Sequence, residues 1–159
     1  MTTVAIDLDT VLGDTRPLWR AFLADAARRF GSIARLDVDR LPADRREASA
    51  ALDEWAARGV GDWRGALTRF AEERAPVFLR PNAEANGALR SLAAGGFRIG
   101  VTSDAPKELV DVALVHLGLA RHVEILDTVG DDAVAVTTRD ELVRLAASSP
   151  RSRTSSRPR

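Results

Sequence analysis

Two short apolar runs constrain this chain more than any other feature. Residues 3–8 read TVAIDL and residues 97–102 read FRIGVT, and each runs into a polar cluster: Asp7-Leu8-Asp9-Thr10 after the first, Thr102-Ser103-Asp104 after the second. A strand apolar on both faces is buried on both faces, which is the habit of parallel sheets. Between the two runs the pattern is helical. Leu18, Trp19, Phe22, Leu23, Ala26, Ala27 and Phe30 recur at helical spacing, with Gly31 as a stop, so a helix is predicted over 16–30. A second is predicted over 43–58, ended by Gly59, and a third over 63–75, capped by Asp62 and stopped by Pro76. Beyond Pro81 the order becomes helix 82–94, strand 97–102, helix 106–117, strands 123–126 and 133–136, and helix 139–147. That alternation predicts an α/β fold, a Rossmann-like parallel sheet with right-handed crossovers. A helical cap is inserted after its first strand. The expected boundaries are 1–14 with 81–147 for the core and 15–80 for the cap. In such sheets chemistry sits at the carboxyl ends of the strands, where both polar clusters fall.

Composition removes several function classes. The 159 residues contain no cysteine, which excludes disulfides, thiolate metal sites and a cysteine nucleophile. His116 and His122 are the only histidines. No apolar run approaches the length of a membrane span, and the N-terminus has neither a basic region nor a long apolar stretch, so a cytoplasmic protein without membrane contact is expected. The formal net charge is zero, but residues 148–159 (SSPRSRTSSRPR) hold four arginines and no acid. The rest therefore keeps 19 of the 23 basic residues against all 23 acids, a net of −4. That balance argues against nucleic acid as a partner. The last twelve residues read as a disordered basic tail.

Asp7 and Asp9 are two positions apart, and on an extended strand they would share a side. Facing carboxylates repel, and a divalent cation or a shared proton relieves them. A hard cation held by a few carboxylates, waters and a substrate phosphate is the magnesium pattern. One carboxylate of such a pair can attack phosphorus while the other moves the proton.

The run VAIDLDTVLGDT resembles the first motif of the haloacid dehalogenase-like (HAD) hydrolase superfamily: an apolar strand, then D-x-D-G-[TV]-[LV] and a trailing D-[ST]. FRIGVTSDAPKELVDVALVHLGL resembles the second motif, a strand ending in Thr or Ser ahead of a helix. Their separation is similar to that in the phosphoglycolate-phosphatase-like branch, where a helical cap follows the first motif. The resemblance implies a magnesium-dependent hydrolase acting on a small phosphate monoester through an aspartyl-phosphate. It makes Asp7 the nucleophile, Asp9 the general acid and base, and Thr102 an oxyanion donor together with Thr10 and Ser103. Magnesium would be held by Asp7, by Asp9 through its carbonyl, and by an acid of the fourth motif. Asp9 argues against the dehalogenase branch, which needs no second acid.

The chain departs from the pattern in three places. Thr10 stands where the family has Gly. The third motif's cation has one lysine to draw on, Lys107, only five residues after Thr102 and in the first turn of a helix. The fourth motif is reduced to Val129-Gly130-Asp131-Asp132, ahead of a strand rather than behind one. Asp127, Asp131 or Asp132 supplies the metal acid, or none does. The region of the third and fourth motifs is shorter by about one βα unit, which is at least ten to twelve residues in such folds. Arg16, Arg20, Arg74 and Arg80 flank the cap as further cationic candidates. Two readings follow: a working phosphatase, or a degenerate HAD-like fold kept as a binding module.

Overall fold

The computed structural model describes residues 1–149, and the basic tail expected over 148–159 lies almost wholly outside them. By compactness the chain forms two units. The first comprises Met1–Leu12, Asn82–Thr102 and the residues from Arg121 onward; the second comprises Gly13–Pro81 and Ser103–Ala120.

The first unit is the sheet. β1 (Thr3–Asp7), β2 (Arg98–Thr102), β3 (Glu124–Ile125) and β4 (Val134–Val136) are all parallel, in the order β3-β2-β1-β4. The chain moves outward from β1 through β2 to β3, then returns to β4 on the other side of β1. β1 is thus the point where the strand order reverses, and in open α/β sheets the crevice outside the carboxyl ends at such a point is where ligands bind. Val4, Ala5 and Ile6 are buried, as are Ile99, Gly100 and Val101 beside them. Gly100 permits this packing, because a Cβ there would collide with the Leu126 side chain. Helices α4 (Ala83–Ala94) and α6 (Arg139–Ser148) pack on each other, α4 also touching β2 and α6 touching β4. Asn82 caps α4 through the Ala85 amide at 2.8 Å, and Thr138 caps α6 through the Glu141 amide at 3.2 Å.

The second unit is helical: α1 (Arg16–Phe30), α2 (Arg45–Trp55), α3 (Trp63–Phe78) and α5 (Lys107–His116). Its core is aromatic. Trp19, Phe22, Trp63 and Phe70 stack with centroids 5.8–6.4 Å apart, and Trp55 meets Phe30 at 5.9 Å. The three tryptophans are buried, and the indoles of Trp55 and Trp63 donate to the Ala34 carbonyl and the Asp53 carboxylate. α5 packs on α3, which is why residues 103–120 group with the helices instead of the sheet.

Two local expectations fail. α3 does not stop at Pro76 but runs to Phe78, closed by the Leu79 amide on the Ala75 carbonyl at 2.8 Å. A proline in the final turn removes one hydrogen bond only, and Pro76 is exposed, so the turn survives. The second difference matters more for the site. β1 ends at Asp7, and residues Leu8–Leu12 form a wide helical turn. Asp9 is therefore not on extended backbone, and the two-residue alternation that would align it with Asp7 does not apply.

Candidate active site

Asp7 is the last residue of β1 and pairs in register with Thr102, the last residue of β2. The nucleophile of the resemblance and its oxyanion donor thus stand side by side on adjacent strand tips. Both are half-buried, and the Thr102 hydroxyl leans on the Ile6 carbonyl at 3.5 Å. Asp9 follows within the helical turn, also half-buried.

Thr10 has a role that its place in the motif does not suggest. Its Oγ1 lies 2.6 Å from Asp7 Oδ2 and 2.8 Å from the Thr137 carbonyl. Thr137 is the first residue beyond β4, so one hydroxyl ties the tips of β1 and β4 together. The Thr137 amide donates to Glu141 Oε2 at 3.2 Å, and Arg139 Nε donates to the Val11 carbonyl at 2.9 Å. Thr137, Arg139 and Glu141 thus surround the carboxyl end of β4 and hold the 8–12 turn. None of the three was singled out in the sequence. The available signal was positional: in a parallel sheet the residues after a strand, not before it, reach the carboxyl edge.

The same rule places Asp131 and Asp132. Val4 pairs with Val134 and Ile6 with Val136, so both acids precede β4 and lie toward the amino edge. Asp132 lies in the turn that leads into β4, at the opposite end of that strand from the level of Asp7. Both are exposed. Asp127 follows β3 on the carboxyl edge, but β3 is two strands from β1, a lateral step of about 10 Å. Among the described residues no group of three or more histidine, aspartate or glutamate side chains is arranged to hold a metal ion. The β1 tip supplies Asp7 and Asp9, and at the end of β4 stand Thr137, Thr138 and the Glu141 carboxylate, which accepts from the Thr137 amide. This donor set does not fit the magnesium site that the resemblance implies.

The remaining candidates belong to the helical unit. Ser103 accepts from the Ala105 amide at 3.1 Å and its carbonyl accepts from Arg46 at 3.1 Å. Asp104 is bound by Arg45, whose backbone amide reaches one carboxylate oxygen at 3.0 Å while Nε and Nη2 reach the other at 2.9 and 2.8 Å. Arg45 also donates to Thr15 Oγ1 at 2.7 Å, and its side chain is 4% exposed. Burial works to raise the Asp104 pKa, but the Arg45 amide and guanidinium outweigh it and hold the carboxyl below its ordinary range. Nothing in the sequence separates Arg45 from the other arginines. Lys107 is exposed and pairs with Asp111 one helical turn on, at 2.6 Å, which raises its pKa. Asp14 pairs with Arg16, whose side-chain hydrogen bond lowers the Asp14 pKa. His116 shares a hydrogen bond with the Leu79 carbonyl at 2.9 Å and His122 is exposed.

No family model matches the chain, and no curated protein does. Solved structures do. A protein from Thermotoga maritima provisionally designated a beta-phosphoglucomutase superposes with a TM-score of 0.50 at 15% identity, over 92% of this chain and 99% of that one. The fold is HAD-like. A HAD phosphatase from Thermococcus onnurineus aligns at a TM-score of 0.43 and 21% identity, over 79% of this chain and 60% of its own. The architecture of a parallel sheet with helices inserted after its first strand is shared with the Thermotoga maritima protein.

Proposed function

We propose that the chain is a phosphohydrolase of HAD type acting on a small phosphate monoester, with the Asp7 carboxylate as nucleophile. The register that sets Asp7 beside Thr102 at the strand-order reversal carries this reading. An Asp7 oxygen attacks phosphorus, the P–O bond to the alcohol breaks, and Asp9 gives the leaving oxygen its proton. The Thr102 hydroxyl donates to a phosphoryl oxygen as charge builds there. In the second half, Asp9 takes a proton from water, the resulting hydroxide displaces Asp7 from phosphorus, and inorganic phosphate leaves. Magnesium would supply charge neutralisation in an enzyme of this kind. The donor set here does not fit that ion. A cytoplasmic small molecule, not nucleic acid, is the proposed substrate.

The test is hydrolysis of an aryl phosphate by the wild-type chain and by Asp7→Asn, with and without magnesium. Turnover in the wild type and a loss of a thousandfold or more in Asp7→Asn is expected. Equal turnover in both, or none in either, rejects the hydrolase.

One observation favours the second reading, a binding module on a degenerate HAD-like fold. The Thr10 hydroxyl occupies an oxygen of the nucleophile itself, 2.6 Å away, where the motif has Gly. Phosphate binding without turnover in wild type and Thr10→Gly alike would establish it.

A further inference from the structure

We infer that the positive charge of the Asp7–Asp9 site is the guanidinium of Arg139, standing at the strand end where a metal-binding acid is expected, and that it contacts the phosphoryl oxygens directly. This rests on the phosphate-ester reading above.

Two carboxylates and a phosphate cannot share one crevice without a cation. Lys107 is committed to Asp111 and lies in the helical unit. The carboxylate at the β4 end, Glu141, is engaged by the Thr137 amide, and among the described residues no three acids are grouped to hold a divalent ion, but two residues past Thr137 the chain offers Arg139. That side chain is anchored, not loose: Nε donates to the Val11 carbonyl, one residue past Thr10 and two past Asp9. The Thr10 bridge to Thr137 fixes the backbone leading to it. Among the described residues the Val11 carbonyl is its only hydrogen-bond partner and no ion pair holds it, so both terminal nitrogens remain to donate. A guanidinium fork matches two phosphate oxygens at once. Its position is also unfavourable for the helix alone, since a cation in the first turn of α6 opposes the dipole. A bound anion at that end reverses the sign. The site therefore recognises a phosphate with a fixed organic cation instead of a mobile inorganic one, and is indifferent to magnesium.

Calorimetric titration with inorganic phosphate tests this on the full chain, in chelator and in excess magnesium. The variants are Arg139→Gln, which keeps a donor for the Val11 carbonyl but loses the charge, and Arg139→Lys, which keeps the charge. Expected are wild-type affinities equal within twofold with and without magnesium, a loss of at least tenfold in Arg139→Gln, and recovery in Arg139→Lys to within threefold. Melting temperatures close to wild type show that both variants are folded; if Arg139→Gln melts early, Arg139→Lys against Arg139→Met gives the same comparison. Phosphate binding that requires magnesium, that is unchanged in Arg139→Gln, or that is absent from the wild type overturns the inference. Aryl phosphate turnover on the same samples separates the two claims. Arg139-dependent binding without turnover rejects the hydrolase and keeps Arg139, whereas magnesium-dependent turnover indifferent to Arg139 does the reverse.

Discussion

At the scale of single residues, the cluster around Arg45 makes the sharpest stability prediction. Its guanidinium is almost fully buried and satisfies Asp104 and Thr15 together. Removing one partner of a buried pair strands the other, at a cost of about 3–5 kcal/mol. Asp104 keeps a third of its side chain in solvent, so Arg45→Met is expected near the lower end, about 3 kcal/mol by urea denaturation. The same pair gives a pH signature. The Asp104 pKa is depressed in the fold, so its contribution is present above the ordinary carboxyl value of 3.8 and is lost as pH falls through the lower folded value. The stability gap between wild type and Asp104→Asn is therefore expected to be constant from pH 5 to 7 and to close below pH 3.8, followed by denaturation at each pH. A gap that persists into strong acid would place the pair's contribution elsewhere.

At the scale of elements, the two motif strands were legible because burial on both faces leaves an unmixed apolar run, and β1 and β2 fall where TVAID and RIGVT stand. Their packing requires Gly100. In Gly100→Ala the new methyl meets Leu126, and overpacking of this kind costs about 1–3 kcal/mol, measurable as a lowered urea midpoint with the denaturant slope unchanged. One helix start was legible through its cap, whereas α2 begins two residues later than expected, capped by Asp44. Asp62 accepts from the Gly65 amide at 2.9 Å, and Asp62→Ala is expected to cost about 1 kcal/mol. The turn at residues 8–12 was not legible. LDTVL has the apolar spacing of a strand end as much as of a turn, and only the end of the β1–β2 ladder at Asp7 and Thr102 decides between them.

At the scale of the molecule, the chain carries a sheet unit and a helical unit whose boundaries cross the second motif between Thr102 and Ser103. The candidate residues are split accordingly: Asp7, Asp9, Thr10 and Thr102 belong to the sheet, Ser103 and Lys107 to the helices. If the sheet unit holds no structural cation, millimolar magnesium and chelator should leave the melting temperature unchanged within a degree in differential scanning calorimetry. A ligand present at a hundred times its dissociation constant stabilises by about 2.7 kcal/mol, so a bound metal would be visible.

The sequence by itself determined the fold class, the strand tips that carry Asp7 and Thr102, and the aromatic helical core, because each is written in local periodicity and in which faces must be buried. It also showed that the segment after the second motif is short. What stands at the carboxyl end of β4 was decided by tertiary structure alone. Parallel pairing of β4 with β1 sends Asp131 and Asp132 to the amino edge and brings Thr137 and Arg139 to the carboxyl edge, and the direction and register of a strand pairing are properties of two distant segments, recorded in neither one.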